Sequence, residues 1–265
     1  MTPDEAITVI IPTSPLAVHP STEIIDETIA QVRKHLPEAR ILLLMDGVHP
    51  EEEYLRDKYQ GFKRAIRNIE RSNLDFETVE FLCWRHQSGM LKWILEGSPA
   101  CDDEEIKTPL VFWTEHDIPL NDAPINWQGI VDTLLEGKIG GIRFELTGNP
   151  PKRNEVMGRV VTHGIPLTLS TQYVNWPQVF RLDYLKAFVA AFGTSKTYLE
   201  CSEFDNLVGR LWSKWQYGIY SPDPIIRCYH TNGRCAGGYG DPGKPFIIVN
   251  GKQRNIYDTP YKPLF

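Results

Sequence analysis

The chain has no apolar run long enough to cross a bilayer, which would take about 20 consecutive residues. It has no surplus of basic residues: 28 Lys and Arg face 34 Asp and Glu, a net charge of −6. That balance argues against broad binding to nucleic acid or an anionic membrane, both of which reward a basic face. A local basic patch stays open. The cysteines, Cys83, Cys101, Cys201, Cys228 and Cys235, are odd in number and never spaced C-x-x-C. A disulfide framework or zinc knuckle is thereby disfavoured, and a reducing, cytoplasmic setting is expected. Met1 to Ala6 has neither a basic stretch nor an apolar one, so no signal peptide is expected there. Internal repeats, low-complexity tracts and linkers are also missing. What remains is a globular profile, 42% hydrophobic and 23% charged over 265 residues. That is enough chain for one large α/β domain without staples.

Alternation of patterns fixes the fold class. Ile7 to Pro12 and Ala39 to Met45 are apolar, β-branched or leucine-rich runs with no polar alternation, the mark of strands buried on both faces. Val79 to Trp84 and Leu110 to Thr114 read the same way. Between them, Ile24, Ile25, Ile29, Val32 and Leu36 recur at helical spacing after Ser21 and Thr22. Glu51 to Ile69 reads as an amphipathic surface helix and Gly89 to Leu95 as a short one. Strand–helix alternation of this kind predicts a mostly parallel central sheet with helices on both faces. Further on, Ile125 to Leu135 is expected to be a helix and Ile139 to Leu146 a strand. Thr147 to Gly164, rich in Gly, Pro and charge, reads as a loop over the site. Gln178 to Phe192 reads as strand then helix, and Glu203 to Trp215 as helix. Tyr217 to Tyr229 is extended, with prolines that suggest an edge. A small C-terminal hairpin, Phe246 to Val249 with Gln253 to Tyr257, is expected at Asn250-Gly251.

Ligands of such sheets sit beyond the carboxyl ends of the strands. Those ends carry Thr13 and Ser14, Asp46 and Gly47, Arg85 to Ser88, and Glu115-His116-Asp117. In an extended segment, Glu115 and Asp117 would face one side. Paired carboxylates there suit Mg²⁺ or Mn²⁺, hard ions commonly shared with substrate phosphates. A solvated loop start is the plain alternative. Glu203 and Asp205 open an acidic helix, as a catalytic base or as helix-capping carboxylates. His230 stands at a strand end, either ligand or structural hydrogen-bonding residue. Arg234 and Lys244 flank a glycine-rich stretch that suits a closing loop. Gln87 and Lys92 flank the third strand's end.

The order of these motifs, I-T-V-I-I-P-T, I-L-L-L-M-D-G, an apolar strand ending in E-H-D, then the acidic helix with Arg210, resembles the GT-A-fold glycosyltransferases. The resemblance is strongest to the large inverting family of cellulose and chitin synthases and many bacterial sugar transferases. It covers about Ile7 to His230. It implies a Rossmann-like GT-A domain over 1–265, with a nucleotide-binding half to about residue 117 and an acceptor-binding half with a closing loop beyond. It implies transfer of a sugar, with inversion, from a nucleoside-diphosphate sugar to an acceptor hydroxyl. By resemblance, Asp46 meets the base and Glu115-His116-Asp117 takes the D-x-D place. Asp117 and His230 are then metal ligands, with Glu115 as a third. Pro12, Thr13, Gln87, Lys92, Arg234 and Lys244 belong to the nucleotide-sugar site. Phe204 falls where the family has its aspartate base, so Asp205 and Glu203 share that role. The acceptor is expected to be a soluble glycan, metabolite or protein; modified DNA is a further candidate, through Lys152, Arg153, Arg159, Lys244, Lys252 and Arg254. Two other readings are a sugar-phosphate nucleotidyltransferase and a non-catalytic nucleotide- or glycan-binding module. Against the first, Thr13 to His19 holds no glycine and no Lys or Arg for a phosphate loop.

Overall fold

A computed structural model describes residues 1–72, 76–96, 106–145, 156–171, 176–192, 208–220, 225–229, 231, 246–249 and 252–255. Its core is a nine-stranded sheet. The first strands are β1 (Ile7–Thr13), β2 (Arg40–Met45), β3 (Glu77–Glu80) and β4 (Leu110–Trp113). They pair in parallel in the order β3-β2-β1-β4. Beyond β4 come β5 (Ile139–Arg143), β6 (Val156–Thr162), β7 (Ile165–Ser170), β8 (Gln178–Arg181) and β9 (Gln216–Tyr220). The sheet continues β4-β8-β5-β9-β7-β6, with β8 and β7 antiparallel to their neighbours. Seven of the nine strands therefore share one direction.

Strands β1, β2 and β4 are buried on both faces, which is why they read as continuous apolar runs. Strand β3 is an edge strand at Glu77–Glu80, not the expected Val79 to Trp84, and only Val79 in it is buried. Ile7, Val9 and Ile11 of β1 join one cluster, with Ile41 and Leu43 of β2 and Phe112 of β4. Helices α2 (Glu23–His35), α3 (Arg56–Ser72) and α5 (Trp127–Glu136) cover that face through Ile25, Phe62 and Ile130. Ile10, Leu42, Leu44 and Trp113 point the other way, under α4 (His86–Glu96) and α6 (Leu182–Phe192). Helices thus lie on both faces, as expected. Helix α2 opens with Glu23 and Asp26 and closes with Arg33, Lys34 and His35, charges that oppose its macrodipole. A short α1 (Pro3–Ala6) begins the chain, closed by a capping box of Thr2 and Glu5.

Several expectations change. The stretch from Thr147 to Gly164, expected as loop, contains edge strand β6, whose exposed face made it look irregular. It turns back into β7 at His163-Gly164, both at positive φ (46° and 75°), the conformation a tight two-residue hairpin requires. Residues 146–155 lie outside the described set. Strand β9 is interior, not at an edge: it sits between β5 and β7, and the prolines 222 and 224 follow it, outside the described residues. The expected strand after Lys138 ends at Arg143. Of the expected helix up to Trp215, the described part is one helical turn at 208–211, closed by the Trp215 N–H on the Leu211 carbonyl at 2.8 Å. The C-terminal hairpin is present as β11 (Phe246–Val249) and β12 (Lys252–Asn255), joined by β10 (Ile225–Ile226) into a three-stranded sheet.

Candidate functional site

A cleft of about 360 Å³ opens at the carboxyl ends of β1, β2 and β4. Register explains the convergence: Thr13 pairs with Met45 and Ile10 with Trp113, so the residues that follow all emerge on one rim. Pro12, Thr13, Asp46, Gln87, Glu115, His116 and Asp117, all anticipated from the sequence, line it. Ser14, His49, Glu51, Glu52, Trp84, His86 and Met90 complete the wall.

The floor is held from behind by α3. The Thr13 hydroxyl donates to the Leu44 carbonyl at 3.2 Å and shares a 2.8 Å bond with the Tyr59 hydroxyl. Lys63, 2% exposed, donates to the Asp46 carbonyl at 2.5 Å and lies 3.5 Å from Glu80. Burial pulls its ammonium down to about 8. His19, 3% exposed, stacks on Phe62 at 4.2 Å and accepts the Leu16 N–H at 3.1 Å. Burial, with His116 nearby, holds that imidazole down to about 4, so it is neutral at physiological pH.

Asp46 is 4% exposed. Its carboxylate accepts the N–H groups of Gly47 (2.7 Å), Arg85 (2.8 Å) and His86 (2.9 Å). His86 begins α4 and Arg85 precedes it, so the end of β2 is tied to that helix's N-terminus. Burial raises the carboxyl's pKa, and the three N–H bonds and Lys63 work against that.

At the fourth strand's end the sequence argument needs one change. The strand stops at Trp113, and Glu115 to Ile118 form a turn closed by the Ile118 N–H on the Glu115 carbonyl at 3.1 Å. The two-residue alternation of a strand therefore does not apply, yet both residues still line the cleft. The Gln87 amide donates to Glu115 Oε1 at 3.0 Å. His116 Nδ1 lies 3.2 Å from the Pro12 carbonyl, and the Thr28 hydroxyl donates to the His116 carbonyl at 2.7 Å. The Thr231 N–H and hydroxyl reach the Asp117 carbonyl at 3.0 and 3.3 Å.

Lys92 does not line the cleft; it faces Glu96 one turn along α4 at 3.5 Å. Glu203, Asp205, His230, Arg234 and Lys244 lie outside the described residues. Sequence reasoning missed His49 and Trp84 as wall residues, whereas His86 falls within the strand end Arg85 to Ser88 where a ligand was expected. Trp84 was read as the last residue of the third strand, which in the structure ends at Glu80.

Among the described residues no group of three His, Cys, Asp or Glu is arranged to hold a metal. Two carboxylates sharing one cleft still fit Mg²⁺ or Mn²⁺. Such ions are commonly held by one or two protein carboxylates, with substrate phosphates and water completing the shell.

No family model matches the sequence, and no curated protein matches it. Solved structures do resemble it. The mannosyltransferase PcManGT from Pyrobaculum calidifontis, in complex with GDP-Man and Mn²⁺, superposes with a TM-score of 0.52 at 13% identity, over 88% of this chain and 58% of that one. S. aureus TarS superposes with a TM-score of 0.51 at 11% identity, over 86% of this chain and 60% of that one. GalNAc-T7 with UDP, GalNAc and Mn²⁺ gives 0.50 at 10% identity, over 85% and 43%. This chain thus spans about three-fifths of the length of the first two. The shared architecture is the GT-A fold, a Rossmann-like α/β sheet.

Proposed function

We propose that the protein is a metal-dependent glycosyltransferase that moves a sugar from a nucleoside-diphosphate sugar to an acceptor hydroxyl, with inversion. One observation carries the reading: two acidic residues, Glu115 and Asp117, line a cleft at the strand ends of a GT-A sheet. The structural neighbours solved with GDP-Man or UDP and Mn²⁺ support it.

Asp117, with Glu115, would hold the cation, and His230 is the third ligand that the resemblance implies. When bound, Mn²⁺ or Mg²⁺ neutralises the diphosphate and stabilises it as it departs. Gln87 fixes one oxygen of Glu115 and so orients that carboxylate. Thr13 and Pro12 form the floor against which the nucleotide rests. Asp205 or Glu203 takes the proton of the acceptor hydroxyl as it attacks the anomeric carbon. Arg234 and Lys244 serve as charge partners of the leaving diphosphate. The acceptor class stays open among soluble glycans, metabolites, proteins and modified DNA; no described helix is long and apolar enough to cross a membrane.

The test is a thermal-shift titration with nucleoside diphosphates, with and without Mn²⁺. At a hundredfold excess over Kd, binding to the folded state adds about 2.7 kcal/mol of apparent stability. Asp117→Asn is expected to keep the fold and lose the Mn²⁺-dependent part of that shift. A mutant that binds as the wild type does would overturn the metal assignment.

A further inference from the structure

Resemblance gives Asp46 the task of meeting the nucleotide's base, but its hydrogen bonds leave little capacity for that. A carboxylate offers about four lone-pair positions. Three of Asp46's are taken by the N–H groups of Gly47, Arg85 and His86, all within 2.9 Å. We propose that Asp46 is a positioning residue that holds the 83–87 segment, and that the base stacks on the indole of Trp84 beside the imidazole of His86. This rests on the glycosyl-transfer reading above and deepens it.

Three further observations carry the proposal. First, the Asp46-Gly47 turn is pressed directly onto that segment: a Cβ at Gly47 would lie 2.1 Å from the Trp84 nitrogen and 2.2 Å from the Cys83 carbonyl carbon. Second, His86 has φ of 67°, a conformation uncommon outside glycine and held here by its N–H bond to Asp46. The unusual backbone belongs to a residue that lines the cleft. Third, the rings are already ordered. His49 meets Trp84 edge-on at 4.4 Å, and His86 meets it edge-on at 5.9 Å. Trp84 is only half-buried and lines the cleft, so its indole is within reach of a flat heterocycle, and ring stacking is the usual way proteins hold an unpaired base.

Charge orients the ligand within the cleft. Glu51 and Glu52 stand at the His49 end, and among the described residues no Lys or Arg lines the wall. A diphosphate would be repelled at that end, whereas an uncharged base would not. The phosphates then lie toward Glu115 and Asp117, where a cation offsets the repulsion.

The experiment is calorimetric titration of the full chain with UDP, GDP, CDP, ADP and, as the base-free probe, pyrophosphate, all with Mn²⁺. Trp84→Ala is expected to weaken the tightest nucleoside diphosphate roughly ten- to a hundredfold, as loss of a stacking platform does, and to leave pyrophosphate unchanged. His86→Asn, which tolerates positive φ, is expected to weaken the nucleoside diphosphate by less and also to spare pyrophosphate. Asp46→Asn is expected to weaken nucleoside diphosphates and to expose the Arg85 and His86 amides to hydrogen exchange. Placed in the Trp84→Ala background, it is expected to add no more than about a twofold further loss, because residues that act through one another are not additive. Full additivity of Asp46→Asn with Trp84→Ala would mean that Asp46 contacts the base itself, and would overturn the proposal. Equal losses for pyrophosphate and nucleotide in Trp84→Ala would also overturn it. Should Asp46→Asn fail to fold, the Trp84 and His86 variants with the pyrophosphate control still decide. If the wild type binds pyrophosphate with Mn²⁺ and no nucleoside diphosphate more tightly, the base subsite falls while the metal site stands. Absence of any binding removes the glycosyl-transfer reading as well.

Discussion

Gly47→Ala is the sharpest structural perturbation the cleft offers. The added Cβ would sit 2.1 Å from the Trp84 nitrogen, where ordinary contact begins near 3.4 Å, so the two segments must part by about 1.3 Å. Both contacting groups are backbone, and no rotamer change relieves them. Parting would stretch the 2.8 and 2.9 Å bonds from Arg85 and His86 to about 4 Å, beyond hydrogen-bond range. Overpacking alone costs about 1–3 kcal/mol, and each lost bond to a charged acceptor about 1.5–3 kcal/mol. Partial relaxation trades one against the other, so a net loss of about 2–4 kcal/mol is expected. In a chain of this size that lowers Tm by roughly 5–15 °C. Gly209→Ala is the control: nothing lies within 4 Å of its Cβ and it sits in a helical turn. It should gain up to about 1 kcal/mol. Differential scanning calorimetry of both variants reads the contrast. A Gly47→Ala protein melting within about 1 °C of the wild type would refute the clamp between β2 and the 83–87 segment.

Acid should destabilise the protein partly through His19. Its folded pKa is held down to about 4, below the ordinary 6.5, so the unfolded chain binds the proton first. The stability tied to the neutral ring is complete above pH 6.5 and is lost as pH falls toward 4, up to about 3 kcal/mol in all. His19→Phe should flatten that part of a urea-denaturation pH profile, and an unchanged slope would count against it. Arg143, 1% exposed, pairs with Glu145 at 3.2 Å. Arg143→Met alone should cost about 3–5 kcal/mol by stranding the buried carboxylate, and adding Glu145→Leu should recover most of it. Equal stability of the single and double variants, by chemical denaturation, would contradict the pairing. The Asp117→Asn loss of Mn²⁺-dependent nucleotide binding completes the set.

Strands β1, β2 and β4 were legible because they are buried on both faces, whereas the edge strand β3, mostly unburied, lies a few residues before the place expected for it. Nothing polar interrupts Ile41 to Met45, and the turn residues fall at the ends. Strand β6 was illegible for the opposite reason. Its burial is low along its length, with Val161 76% exposed, so it offers neither a buried run nor a clean alternation. Glu115-His116-Asp117 was readable from position alone, since a carboxyl end of a parallel strand is where ligands bind. The facing of its side chains was not, because a turn follows Trp113. Asp46 was visible as a residue, but its work depends on N–H groups about 40 positions away. Trp84 and His86 owe their place on the wall to that same clamp, which no local pattern encodes.

The second half of the chain reaches the carboxylates by a backbone route. The Asn121 N–H bonds to the Arg227 carbonyl at 2.9 Å, the Tyr229 N–H to Pro119 at 3.2 Å, and the Thr231 N–H to Asp117 at 3.0 Å. On its other side the same segment bonds to Glu145 through the Arg227 N–H at 3.1 Å. The strand end before the turn is fixed separately, by the Thr114 N–H on the Ile10 carbonyl, and the turn itself by Thr28 of α2. Asp117 is therefore held by bonds that arrive from β1, from α2 and from residues more than a hundred positions downstream. Fixing the Asp117 backbone this way would lower the reorganisation needed in the proposed reaction when a charged diphosphate arrives, the condition under which electrostatic stabilisation of a leaving group is strongest. Among the described residues, Tyr229 and Thr231 thus tie the downstream chain to Pro119 and to the Asp117 backbone.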